Sequence, residues 1–163
     1  MPESDSLPNV EGLTSIQSVF GAKETLDRLE TEIRSKGLTI FAKIDHAAGA
    51  VEVGLTLRPT SLMIFGNARA GTPLMQAAQT AGIDLPLKIL VWEDTAGNTW
   101  LSCNEPSWIA HRHGVSGKAD LIDKLRATLA EIANVAAGLR QEKDVNLHAL
   151  VPRTSVRGIN SDA

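Results

Sequence analysis

Along this chain the spacing of apolar residues changes period repeatedly, and each change marks the boundary of an element. In LTSIQSVF, Leu13 and Ile16 stand among polar neighbours, an imperfect strand pattern that stops at Gly21. From Ala22 to Lys36, Leu26, Leu29 and Ile33 recur at helical spacing with charged residues on the opposite side, and Gly37 supplies a stop. LTIFAKID, Leu38 to Asp45, is rich in β-formers and predicts the next strand, followed by HAAGAVEVG as a corner or short helix. SLMIFGN, Ser61 to Asn67, is a continuous apolar strand. GTPLMQAAQTAG then predicts a helix with Thr72 as N-cap, Pro73 in the first position and Gly82 as the stop.

LKILVWED and TWLSCN flank the loop TAGN, whose length and glycine predict a hairpin of two antiparallel strands. EPSWIAHRHG reads as a short helix that tolerates Pro106 in its first turn and closes at Gly114. From about Ser116 to Leu139, the residues Leu121, Ile122, Leu125, Leu129, Ile132 and Ala136 form one apolar stripe about five turns long. A stripe of that length requires a sheet to lie on. The order β-α-β-β-α-β-β-α-α predicts an α+β domain of two layers, a mostly antiparallel sheet covered by helices. The expected division is a flexible segment at 1–12, one domain at 13–140 and a C-terminal tail at 141–163.

Composition narrows the function classes. At 163 residues the chain buries a real core without metal or disulfide staples. Its formal net charge is −3 with the basic residues scattered, so it has no electrostatic footprint for nucleic acid or anionic lipid. A lone cysteine, Cys103, rules out an intramolecular disulfide and points to a reducing compartment, the cytoplasm. The opening MPESDSLPNV has neither a basic n-region nor an apolar h-region, and no run approaches the roughly 18 apolar residues of a membrane span.

Candidate chemistry gathers around the histidines and the ends of strands. Asp45 and His46 are adjacent, but neighbours on an extended strand point to opposite faces, so they make no direct carboxylate–imidazole dyad. Asp45 is expected to cap the turn that follows. His111 and His113 lie two apart, about 200° on a helix, and do not share a metal; with Cys103 alone on its strand, no closed ligand set exists and no cofactor is expected. Gly66 and Asn67 precede a helix, yet neither GxxxxGK[ST] nor GxGxxG is present, so FGN reads as a strand-to-helix turn. Trp92, Trp100 and Trp108 read as core or interface anchors. The expected polar cluster joins His46, Asn67 and His113 at a shared rim, with Asn104 and Arg112 nearby as further ligand-binding candidates.

The segments ETLDRLE, FAKIDHAAGA, GLTLRPTSLMIFGN, GTPLMQAA, GIDLPLKILVWED and RHG, in that order over about Ser18 to Ala137, resemble the domain of unknown function 302 family. Ala68 stands where that family often has proline after FGN, and Cys103 where an aromatic is frequent. The resemblance implies a single-copy TATA-binding-protein-like α+β fold that commonly associates as a homodimer, and it brings no established activity. The leading functional expectation is a cytoplasmic small-ligand binding or sensing module working as a dimer. Two other classes compete: an enzyme using His46 or His113 as general acid or base, and a structural or partner-binding dimer without a catalytic site.

Overall fold

The computed structural model describes residues 7 and 9–139. Its centre is a five-stranded sheet in the order β1-β5-β4-β3-β2, with every neighbouring pair antiparallel. The strands are β1 (Leu13–Gln17), β2 (Thr39–Asp45), β3 (Thr60–Gly66), β4 (Leu87–Glu93) and β5 (Thr99–Asn104). The helices are α1 (Ala22–Ser35), α2 (His46–Glu52), α3 (Ala68–Ala77), α4 (Pro106–Arg112) and α5 (Ala119–Ala137), with a 3-10 turn at Gln79–Ile83. The antiparallel α+β architecture is the expected one, and the predicted hairpin joins β4 to β5.

Alternation along each strand sorts side chains between two faces. On β4, Leu87, Ile89 and Val91 are buried, while Lys88, Leu90 and Trp92 between them are only half-buried. The buried set meets Met63 and Phe65 of β3 and Leu101 of β5, and the stripes of α1 (Leu29, Ile33) and α5 (Leu125, Leu129, Ile132) close over them. This is the core. The other set faces away from it, and none of Leu62, Ile64, Leu90, Trp92 or Trp100 joins the helix-side cluster.

Arg28 of α1 reaches the C-terminal end of α5. It donates to the carbonyls of Val135 and Ala136 at 2.8 and 3.2 Å, in the last turn of α5, while its guanidinium lies 4.3 Å from the centre of the Phe20 ring. Gly138 ends α5 with φ of 75°, and a Cβ there would come within 2.6 Å of the Phe20 ring, so both conformation and packing demand glycine. Below, the hydroxyls of Ser18 and Thr25 pair at 2.7 Å in the interior.

Three elements have boundaries that differ from the sequence reading. β1 ends at Gln17, whereas of the corner or short helix expected at HAAGAVEVG the short helix, α2, is the one formed. α5 starts at Ala119 rather than near Ser116. α3 starts at Ala68, because Asn67 and not Thr72 is its cap: the Asn67 carboxamide oxygen accepts from the Ala70 amide at 2.8 Å. Pro73 and Gly71 therefore fall inside the helix, which stops at Ala77, before Gly82. Between Ile40 and Ala42 the β2–β3 register shifts, a bulge that puts Phe41 out of the ladder. The expected tail at 141–163 lies outside the described residues.

Candidate functional site

Antiparallel order brings the C-terminal ends of β3 and β5 and the start of β4 to one end of the sheet. There, β3 runs through Gly66 into Asn67, which turns the chain into α3, and the segment Leu85–Leu87 enters β4 alongside. Phe41, Asn67, Thr72, Met75, Leu85 and Leu125 are among the residues that enclose a cavity of about 330 Å³ at this junction. Its wall is almost wholly apolar, and Asn67 and Thr72 are the polar side chains on it. Its volume is within the range of small-molecule pockets in general, and a charge placed against such a wall would go uncompensated.

Beside the cavity stands a polar cluster centred on Asp84, the residue before Leu85. Arg112 grips the Asp84 carboxylate with one guanidinium nitrogen at 3.1 and 3.0 Å, and its guanidinium sits 5.5 Å from the centre of the Trp108 ring. His113 Nε2 lies 2.6 Å from Asp84 Oδ2, and His113 Nδ1 lies 2.9 Å from the Thr80 hydroxyl. The His113 and Asp84 side chains are only 8 % and 12 % exposed. A carboxylate only accepts, so Nε2 carries the hydrogen in this pair; on a neutral ring Nδ1 is then the acceptor and the Thr80 O–H donates to it. Hydroxyl, imidazole and carboxylate thus form a relay of the kind that activates a nucleophile. It also ties the end of α4 to the 3-10 turn.

The structure brings Arg112 and His113 together on Asp84, and puts Asn67 at the same end of the sheet. Asn104 ends β5 at that end too, paired with Leu13 of β1. His46 does not join them. β2 and β3 are antiparallel neighbours, so Asp45 pairs with Ser61 at the far end while Thr39 pairs with Gly66. Seven residues of β2 separate the two ends, roughly 20 Å at strand rise, and the expected rim of His46, Asn67 and His113 is not formed. Asp45 caps α2, its carboxylate accepting from the Ala48 amide at 2.9 Å, as the sequence led one to expect. His46 stands exposed in the first turn of that helix. His113 works instead with Asp84 and Thr80, neither of which was among the candidates read from the sequence.

The remaining candidates are structural. Burial, with the nearby Glu105 charge second, pushes the Cys103 thiol up to about 11, which leaves it protonated and unreactive near neutrality. Trp92 and Trp100 stack with ring centres 6.4 Å apart; their indole N–H groups donate to Ser102 and Asp94, each at 2.8 Å. Among the described residues no three His, Cys, Asp or Glu side chains gather as a metal site, and no helix is long and apolar enough to cross a membrane.

The sequence pattern described as "Domain of unknown function DUF302" matches residues 14–136. The chain belongs to this family. Over 128 residues it is 42% identical to a protein of Brucella suis named "Fluoride-specific ion channel FluC 1", covering 78% of this chain and 50% of that one. A protein of the same name from Brucella abortus is also 42% identical, with 47% of its length covered. The chain thus spans about half the length of these relatives. The fold is similar to the crystal structure of an uncharacterized conserved DUF302 protein from Bacillus stearothermophilus, with a TM-score of 0.70 at 17% identity, covering 78% of this chain and 99% of that one. At that identity the likeness concerns the fold.

Proposed function

We propose that this DUF302 chain is a cytoplasmic, homodimeric module that binds a small, uncharged, largely apolar molecule in the cavity between α3, Phe41 and the entry to β4. The observation that carries the reading is the cavity itself: about 330 Å³ of space walled by apolar side chains, with Asn67 and Thr72 as orienting polar groups. A purely structural dimer gives no reason to keep such a space open beside a packed core. The Brucella relatives named as fluoride channels supply a setting, a module that reports ligand state to a channel partner. Fluoride itself is a poor fit, since a halide needs cations or a nest of N–H donors rather than apolar walls.

The test is titration with an uncharged apolar fluorophore such as N-phenyl-1-naphthylamine. Ala70 also lines the cavity. Saturable binding of one probe per chain, abolished by Ala70→Phe at an unchanged melting temperature, is the expected result. Non-saturable binding, or binding indifferent to Ala70→Phe, would remove the cavity from consideration.

The relay favours a second reading, in which His113 is the general base for an attack by Thr80. Turnover of p-nitrophenyl acetate above the buffer rate, lost in both Thr80→Val and His113→Ala, would support it. Equal rates in all three proteins would leave the relay as a clamp between α4 and the 3-10 turn.

A further inference from the structure

Phenylalanine occurs three times in this chain, in three different settings. Phe65 is fully buried in the core and Phe20 lies half-buried against Arg28, whereas Phe41 is 56 % exposed while lining the apolar cavity. The β2–β3 register explains how Phe41 comes to be there. Ile40 pairs with Phe65 and Ala42 with Ile64, so Ala42 holds the ladder position that Phe41 would take in an unbroken strand. That position lies opposite Ile64, on the face away from the helix-side core. The bulge releases Phe41 from it and turns the ring toward Leu87 and Leu125, which belong both to the cavity wall and to that core. Ladder pairing is given up here, and what is placed in return is an aromatic ring with most of its surface uncovered.

We infer that Phe41 is the residue by which the cavity selects its ligand, and that the ligand class is an aromatic ring bearing a hydrogen-bond acceptor. This role of Phe41 rests on the cavity reading above and deepens it by naming the ligand class. Two features of the wall favour a ring. Phe41 keeps more than half of its surface free beside a space of about 330 Å³, so an incoming aromatic gains an offset-stacked or edge-to-face contact that a saturated ring of the same size does not. Met75 is the other. Its Cε lies 3.8 Å from where a Cβ on Gly71 would stand, which packs the thioether against the bare backbone of α3 on the same wall, and sulfur too prefers aromatic partners. Asn67 sets the acceptor. Its carboxamide oxygen already accepts from the Ala70 amide at 2.8 Å, which leaves the NH2 group to donate to a ligand oxygen.

The experiment compares acetophenone with cyclohexyl methyl ketone, which share the carbonyl and differ in the ring, by displacement of N-phenyl-1-naphthylamine from the full chain and from variants whose own affinity for that probe is measured first. Acetophenone should displace it at about tenfold lower concentration. Phe41→Leu keeps apolar bulk without the ring and should bring the two ketones within about threefold of each other, the remainder being the share of Met75. Asn67→Asp keeps the helix cap but loses the NH2 donor, and should weaken both ketones while preserving their ratio. A ratio that survives Phe41→Leu intact would overturn the role of Phe41, and ketone affinities untouched by Asn67→Asp would overturn the acceptor. Equal displacement by both ketones from the full chain would overturn the aromatic class while leaving the cavity reading in place. Non-saturable binding of the naphthylamine itself would overturn both. If Phe41→Leu does not fold, nuclear Overhauser contacts between the Phe41 and acetophenone rings in the full chain decide: their presence supports the assignment and their absence overturns it.

Discussion

The two faces of the sheet are built from the same strands, alternate residues apart, yet they are made of different materials. Under α1 and α5 the side chains are mostly aliphatic, with Met63, Phe65 and Cys103 among them, most of them inaccessible and packed on helical stripes of Leu and Ile. On the opposite face Leu and Ile alternate with Trp, Ser and Gln, most are half-buried, and the polar atoms of Trp92, Ser102 and Ser15 are bonded to one another. The first face carries folding energy through burial that is complete within the chain. The second is finished as a surface: its hydrogen bonds are closed, its apolar area is not.

That contrast is most strongly tested on the covered side. Leu129, 3 % exposed, sits where α5 meets the sheet, and Leu129→Ala should lower unfolding free energy by about 2–5 kcal/mol in urea titration. An unchanged midpoint would mean that α5 does not seal this face. Cys103 reports the same side chemically. With its thiol pushed up to about 11 and largely buried, Cys103 holds little thiolate at pH 8, and iodoacetamide should label it much more slowly than a free thiol. Rapid labelling would show that the layer under the helices opens in the native state.

On the other face the effects are smaller. Ser102→Ala removes the acceptor of the Trp92 indole and should cost about 1–2 kcal/mol, with a change in tryptophan emission. The smallest effect concerns pH. The Trp100 indole N–H, followed by the Asn98 amide, holds the Asp94 carboxyl below its ordinary value. A lowered folded-state pKa contributes stability that is present above the unfolded value and is lost as pH falls through the folded one. Acid titration of the tryptophan emission should therefore show a step below pH 3.8 that Asp94→Asn abolishes.

Much of the covered face was legible in the sequence, because a stripe such as Leu125, Leu129 and Ile132 has a period that a single helix reveals. The hairpin was legible through TAGN, and Asp45 through its place before a helical run. α3 was misread where two start signals competed: Thr72-Pro73 is a strong local pattern, but Asn67 begins the helix as soon as β3 ends, and Pro73 is carried inside. The site was harder. His113 and Asp84 are 29 residues apart, and they meet because the turn before β4 and the end of α4 reach the same end of the sheet. His46 was placed with Asn67 although an available rule separates them: successive antiparallel strands end on opposite sides. Applied to LTIFAKID and SLMIFGN, it would have withdrawn His46 and left Asn67, Asn104, Arg112 and His113.

The bulge at Phe41 bears on how copies of this chain accumulate. β2 is one of two edges, and an incoming strand needs an unbroken row of amides and carbonyls to extend the sheet sideways. At Phe41 that row is interrupted, and Lys43, paired with Glu30, places a charge beside it. The other edge, β1, offers only five residues. Lateral growth of the sheet is thereby hindered at both margins, which keeps copies of this chain from joining edge to edge into a fibril.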